Sequence, residues 1–187
     1  MKLIAAPLLL LLVACSGNPA STTYYLLRSD VDLESRELQP SQHYGLGSFR
    51  IASYIDQPGL VLETRDHVIH QARSNRWAES LRDSLRLFFA SEISAEVGED
   101  VFFSRDLTGL TRINITINQL HGKSDGNAVL VGYWELAPPE GESTYFQFAE
   151  TRALVGDGYD ALVDAERYLL SRMADSIGRS LDTGSAR

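Results

Sequence analysis

Cysteine, basic charge and long apolar runs are all scarce in this sequence. Its 187 residues include one cysteine, Cys15, so no disulfide framework can brace the domain and hydrophobic packing has to hold it. Lys and Arg number 17 against 25 Asp and Glu, which gives a formal net charge of -8. That balance argues against binding nucleic acid or anionic lipid head groups through bulk charge.

Recognisable catalytic and metal-binding motifs are also absent. The sequence contains no HExxH, CxxC, GxSxG or GxxxxGK[ST] pattern. His67 and His70 are the only close histidine pair, and residues three apart on a strand face opposite sides, so we do not expect them to share a metal ion. Gly156-Asp157-Gly158 resembles part of a calcium loop without the remaining ligands, and we interpret it as a turn. We therefore predict no metal, no cofactor and no enzymatic activity.

The N-terminus carries the strongest positive signal. Met1-Lys2 is followed by an apolar run that ends in Leu12-Val13-Ala14-Cys15, the pattern of a bacterial lipobox. The run is shorter than the roughly 20 apolar residues that a membrane span needs. We therefore predict a signal peptide over residues 1–14, a lipid attached to Cys15 and a lipidated tether over residues 15–23. The alternative is an ordinary free cysteine in an uncleaved or differently cleaved signal peptide.

Strands and one long helix are predicted in the first half of the chain. Residues 24–28 and 43–51 are typical of strands, and residues 60–64 and 68–70 indicate a hairpin. A helix is predicted over residues 75–96, because an apolar stripe at helical spacing begins at Trp77, with Asn75 as N-cap and Gly98 at the stop. A short strand is predicted over residues 101–103.

The second half predicts a β-meander followed by another helix. Ile113, Ile115 and Ile117 alternate with polar residues, which indicates a sheet with one buried and one solvated face. The meander covers residues 111–155, and the helix covers residues 160–181. The fold class that follows is α+β: a two-layer sandwich, with a mostly antiparallel or mixed sheet and two long helices packed on one face. We expect a single domain over residues 24–182 and a disordered tail over residues 183–187.

The large aromatic side chains leave two interpretations open. They can fill an ordinary core or line a pocket for lipid. The residues concerned are Trp77, Phe88, Phe89, Tyr133 and Trp134.

Five segments together resemble the PqiC-type family of ABC-transport auxiliary lipoproteins. They are Tyr24-Tyr25-Leu26-Leu27, residues 52–61, residues 75–81, residues 132–136 and residues 159–165. The resemblance extends from Tyr24 to about Leu181, and Arg76-Trp77-Ala78-Glu79 is its most specific motif. Ala52, Gln57 and Ser80 depart from the family pattern, at positions that resemble turn and helix-start details.

The resemblance implies a non-enzymatic part in transport between membranes. Such lipoproteins sit in the outer membrane, face the periplasm, and dock tunnels of MCE-domain proteins, as homo-oligomeric rings. Ser16 agrees with this location, because an Asp after the lipidated cysteine would favour retention in the inner membrane. A stand-alone lipid or hydrophobe carrier and an envelope assembly factor are the alternatives.

Two roles stay open for the Arg76-Trp77-Ala78-Glu79 motif. As a structural element, it would bury Trp77 against the sheet and place Glu79 in the first helical turn, where negative charge suits the helix dipole. Arg76 would then pair with Glu79 or with a loop. As a contact element, the same residues would bind a partner protein.

Overall fold

The computed structural model describes residues 21–31, 37–65 and 67–184, with side chains as far as residue 181. Within these residues the strands are β1 (Thr23–Tyr25), β2 (Tyr44–Ile51), β3 (Gly59–Arg65), β4 (Val68–Trp77), β5 (Thr111–Lys123), β6 (Asn127–Ala137) and β7 (Thr144–Ala153). The helices are α1 (Leu81–Val97) and α2 (Gly158–Gly184). The strands form one mixed sheet, and the predicted α+β class is confirmed.

Strand β5 is the centre of this sheet. Its path runs in the order β1-β4-β3-β5-β6-β7. Antiparallel β6 occupies one edge of β5, while two parallel strands share the other edge. Strand β2 pairs with the first part of β5, as in Leu46 with Ile113, and β3 pairs with its end, as in Glu63 with Lys123. The hairpin of β3 and β4, and β1 beside it, thus join the sheet only at the end of β5.

The core lies between the sheet and the two helices. Ile113, Ile115 and Ile117 are fully buried, as their alternation predicts. Trp134 stacks on Phe146 with ring centroids 5.2 Å apart, and its indole Nε1 donates to Ser180 Oγ of α2 at 3.0 Å. The meander and the second helix are therefore confirmed, with α2 beginning two residues earlier than predicted. No helix among the described residues is both long enough and apolar enough to cross a membrane.

The predicted start of the first helix is wrong. Strand β4 continues to Trp77, and α1 begins at Leu81 with Ser80 as its N-cap. The reason is long-range pairing: the Trp77 N–H donates to the Pro58 carbonyl at 2.7 Å, so this backbone belongs to the sheet. Asn75 is accordingly a strand residue and caps nothing. The helix stop is confirmed, because Gly98 has φ 73° and its N–H donates to the Ser94 carbonyl at 2.9 Å.

Two predicted strands are shorter in the structure. Residues 101–103 form no strand, because they meet β2 at one place only, where the Leu46 N–H donates to the Phe102 carbonyl at 2.9 Å. The first strand, predicted over residues 24–28, covers only Thr23–Tyr25, which is the part that pairs with β4. In both segments an apolar side chain is buried in the core without its residue belonging to a strand: Leu27 in the first and Val101 in the second.

The sheet face away from the helices carries a row of polar contacts, which we call the polar ladder. It crosses four strands through Ser48, Asn114, Glu135 and Tyr145. Asn114 Oδ1 accepts from the Ser48 N–H at 2.7 Å, and its amide donates to Glu135 Oε2 at 3.1 Å. The Tyr145 hydroxyl donates to the other carboxylate oxygen at 2.9 Å. The ladder fixes strand register on the solvated face.

Candidate functional site

Three segments that are distant in the sequence meet around Trp77. Tyr25 of β1 pairs with Trp77 of β4, and the Ala78 N–H donates to the Tyr25 carbonyl at 2.8 Å. The turn before β3 is held from the other side by the bond from the Trp77 N–H to the Pro58 carbonyl. A cleft of about 440 Å³ opens at this junction. We call it the Trp77 cleft, and it is lined by Tyr24, Asp56, Gln57, Pro58, Arg76, Trp77, Ala78, Glu79, Ser80 and Leu81.

Trp77 forms the floor of the cleft. Its side chain is only 5% exposed and belongs to the hydrophobic core. The prediction that the ring is buried is therefore confirmed, although it lies at the end of a strand and starts no helical stripe. The neighbouring Ala78 and Tyr24 are exposed, Tyr24 to 61%. The motif thus has a buried anchor and an accessible flank.

Glu79 ties the cleft to the chain that leaves β1. Its carboxylate is ion-paired with the Arg28 guanidinium and accepts a hydrogen bond from Ser84 Oγ at 2.7 Å. These contacts, that with Arg28 above all, lower the pKa of Glu79 to about 2. The prediction that Glu79 lies in the first helical turn is wrong, because it precedes the N-cap. The cation paired with Glu79 is Arg28, so of the two partners expected for Arg76, which were Glu79 or a loop, Glu79 is not the one observed.

A second ion pair fastens the opposite wall. Arg82 Nε of α1 donates to Asp56 Oδ2 at 3.0 Å. Ser80 Oγ accepts from the Asp83 N–H at 3.4 Å and so caps the helix. The polar groups on the walls therefore hold strand, turn and helix together. The Ser80 hydroxyl and the carboxylates of Asp56 and Glu79 are all engaged in these structural bonds. Such an arrangement suits a contact surface.

A buried polar cluster that sequence reasoning missed lies between β5 and α2. The Tyr54 hydroxyl is 3.0 Å from Nδ1 of the buried His121, and His121 Nε2 is 3.7 Å from Glu63 Oε2. Burial raises the pKa of Tyr54 to about 12 and lowers that of His121. Glu166 of α2 acts electrostatically on Tyr54, is 1% exposed, and has one oxygen without a hydrogen-bond partner among the described residues.

Burial raises the pKa of Glu166 to about 8, so the group is largely neutral at neutral pH. A signal for it existed in the sequence. Glu166 lies four residues after Leu162 and three before Leu169, which places it on the apolar stripe of the second helix. A carboxyl group on a core-facing stripe predicts either a buried partner or a neutral acid.

The remaining candidate residues are dispersed. His67 lies in a turn with φ 65°, so the strand argument does not apply to it, and both His67 and His70 are exposed. In the described parts of the chain, no three His, Cys, Asp or Glu side chains are placed to hold a metal ion. Four of the five aromatic residues singled out are buried in the core, while Tyr133 is 39% exposed. Cys15 lies outside the described residues, and its lipidation stays a prediction.

Comparison with known proteins assigns the family. The model of the ABC-type transport auxiliary lipoprotein component matches residues 24–178, which is most of the chain. The chain belongs to this family. The resemblance found in the sequence is therefore confirmed, and the domain is an auxiliary lipoprotein of a transport system.

Relatives of this auxiliary lipoprotein agree over nearly the full length. The intermembrane transport lipoprotein PqiC of Escherichia coli (strain K12) is 25% identical over 172 residues, 91% of each chain. The PqiC protein of Shigella flexneri matches to the same extent. A crystal structure of an uncharacterized protein has a TM-score of 0.74 at 23% identity, covering 86% of this chain and 99% of that one. Protein XCC0632 from Xanthomonas campestris has a TM-score of 0.65 at 17% identity, covering 88% and 98%. These two structures support the fold alone.

Proposed function

We propose that this auxiliary lipoprotein is anchored in the outer membrane, faces the periplasm, and docks the periplasmic tunnel of an MCE-type lipid-transport system there. The proposed role is non-enzymatic and requires no cofactor. The observation that carries it is the family match over residues 24–178, reinforced by relatives named as intermembrane transport lipoproteins. The net charge of -8 supports a protein partner over nucleic acid.

The Trp77 cleft is the proposed contact surface for the tunnel protein. Three of the five segments that carry the family resemblance line it, although they are far apart in the sequence. Trp77 and Glu79 serve the fold, because one is buried in the core and the other is ion-paired with Arg28. We assign contact with the tunnel protein to the accessible flank of the cleft, chiefly Tyr24, Arg76 and Ala78. The motif thus divides between the two roles that its sequence left open.

Anchoring is proposed to come from acyl chains on Cys15. The eight residue-to-residue steps from Cys15 to Thr23 can span at most about 26–29 Å. Several acyl chains hold a protein in a bilayer effectively permanently, since each buried methylene contributes about 0.8 kcal/mol. The domain would therefore stay close to the membrane surface.

A homo-oligomer is the proposed assembly. The sheet of the described residues is open, with β1 and β7 at its ends. Open strand edges offer unpaired backbone groups to a neighbouring copy. Edge β1 also lies beside the Trp77 cleft, so assembly and partner binding would be adjacent.

Site-specific photocrosslinking in intact envelopes tests the proposal. A photoreactive residue replaces Tyr24 or Ala78 in the full-length lipoprotein, and replaces exposed Leu87 of α1 in the matched control. We expect an MCE-domain protein to be captured from the two cleft positions and much less from Leu87. Recovery of no MCE protein from either cleft position would overturn the docking role. Native mass spectrometry of the purified protein complements this, since monomers carrying phospholipid would favour a lipid carrier instead.

A further inference from the structure

Three chain connections meet at one end of the sheet. Glu63 pairs with Lys123, which sets the β3–β4 turn beside the β5–β6 turn. The Leu154 N–H donates to the Gly126 carbonyl at 2.9 Å, which brings the connection from β7 to α2 to the same place. We call this surface the turn end and define it by residues 64–65, 67–69, 123–126 and 154–157. Asp66 lies outside the described residues and is no part of it.

The turn end exposes branched aliphatic side chains. Val155 is 84% exposed, Val68 is 43% exposed and Ile69 is 40% exposed. Val68 also borders a shallow hollow formed with Thr64, Arg65 and Ser124. Single exposed apolar residues are ordinary on protein surfaces. Here Val68 and Ile69 begin β4, and Val155 lies in the connection from β7 to α2, so the three are grouped at one end of the sheet.

The N-terminal chain enters the domain from the side of the turn end. Strand β1 runs parallel to β4, with Thr23 opposite Asn75 and Tyr25 opposite Trp77. Residues 21 and 22, which directly precede Thr23, therefore lie toward the beginning of β4, on the side of the turn after β3. The length of β3 gives the distance from the level of β1 to the turn end. Gly59 of β3 pairs with Arg76, and the strand from Gly59 to Arg65 is roughly 20 Å long at 3.3 Å per residue.

The length of the tether matches that distance. The eight residue-to-residue steps from Cys15 to Thr23 reach at most about 26–29 Å. A lipid on Cys15 can thus reach the plane of the turn end. The β6–β7 turn lies at the opposite end of the sheet, roughly 35 Å from the turn end along β6.

We propose that the turn end rests on the membrane that holds the lipid anchor, with Val68, Ile69 and Val155 inserted at the boundary between head groups and acyl chains. This inference rests on the proposed lipidation of Cys15. The contact is apolar, because the turn end carries both charge signs, as in the pair of Lys123 Nζ and Asp125 Oδ2 at 3.7 Å. It therefore needs no anionic lipid.

Fluorescence quenching on single-cysteine variants tests the proposal. The full lipoprotein carries Ile69→Cys or Val155→Cys, labelled with an environment-sensitive fluorophore. It is reconstituted into phosphatidylethanolamine vesicles that contain phosphatidylcholine with a nitroxide in the upper acyl chain. Glu140→Cys, in the exposed β6–β7 turn, is the matched control. We expect quenching of at least about twofold at both turn-end positions and little at Glu140.

Two results would overturn the inference. One is equal quenching, or equal lack of it, at Ile69, Val155 and Glu140. The other is quenching at the turn end that appears only after phosphatidylglycerol is added, because the contact would then be electrostatic. Unchanged quenching with phosphatidylglycerol supports an apolar contact.

The intact mass separates this inference from the proposed function. A protein whose mass lacks acyl chains on Cys15 refutes the anchor itself. A protein with the lipid attached and labels that stay in water refutes only the membrane contact of the turn end.

Discussion

Glu79 and Glu166 are carboxyl groups whose pKa values move in opposite directions, because one is ion-paired near the surface and the other is buried. Arg28 and Ser84 lower the pKa of Glu79 to about 2. Burial raises the pKa of Glu166 to about 8. The two residues therefore have opposite effects on how stability changes with pH.

For Glu79, a lowered pKa means that its contribution to stability is complete above the ordinary value of 4.5 and is lost as the pH falls through about 2. We expect Glu79→Gln to lower the melting temperature at neutral pH. The difference in melting temperature between this variant and the protein with Glu79 should disappear under strongly acidic conditions. Arg28→Gln should have an effect of similar size, and the double variant should be less than additive. Additive effects in thermal unfolding would argue against the ion pair.

For Glu166, a raised pKa means that folding stability falls as the pH rises from 4.5 to about 8, because only the unfolded state readily releases the proton. We expect Glu166→Gln to remove this fall, which is on the order of a few kcal/mol. Urea unfolding at mildly acidic and mildly alkaline pH measures it. Exposed Asp164→Asn, two residues earlier, is the control and should leave the pH dependence unchanged. An equal pH dependence in Glu166→Gln would contradict burial of the acid.

At the scale of elements, the junction of β4 and α1 determines how the Trp77 cleft is built. Trp77 ends the strand and Ser80 caps the helix, so only Ala78 and Glu79 lie between them. Substitutions in this junction are therefore expected to change the packing of both the sheet and the helix.

We expect Trp77→Ala to cost about 3–5 kcal/mol of unfolding free energy, because a buried ring leaves a cavity among core side chains. Trp77→Phe should lose less, since it keeps most of the apolar volume. Denaturant unfolding of both variants is the measurement. If Trp77→Ala kept its melting temperature and still abolished capture of the partner, the assignment of Trp77 to the fold would be wrong.

Ser80 is the residue that tests the corrected start of α1. Its Oγ caps the helix, so Ser80→Ala should cost about 1 kcal/mol, whereas Ser80→Asp should retain most of the stability. Equilibrium unfolding in urea measures both. A neutral Ser80→Ala would indicate that the helix does not depend on this cap.

Sequence periodicity predicted the elements best where the signal was local. The isoleucine alternation of β5 and the stripe of α2 both hold in the structure. The error at Trp77 arose because Trp77, Leu81 and Leu85 are also spaced four apart, as on a helix. Only the bonds from Trp77 to Pro58 and from Ala78 to Tyr25 show that this backbone is sheet. The cleft could not be predicted for the same reason, since it depends on pairings between distant segments.

At the scale of the whole molecule, the predicted lipid on Cys15 is expected to determine where the protein is located and to leave the stability of the folded domain unchanged. We expect Cys15→Ser to keep the melting behaviour of the folded domain, because Cys15 lies before the first strand. Membrane fractionation should find the variant released from the membrane fraction, and we expect transport to be lost. Full transport activity by the released protein would refute the need for the anchor.

The position of β5 in the sheet also governs the order in which the protein can fold. The parallel partner of both β2 and β3 is β5, which is synthesised long after them, and parallel pairing across such separations is slow. The helix α2 that covers the meander comes later still. In the proposed export from the N-terminus, the first strands would therefore cross the inner membrane ahead of β5 and α2. The proposed acylation of Cys15 can thus take place on a chain with no folded domain beside the thiol, and folding follows when the last helix arrives.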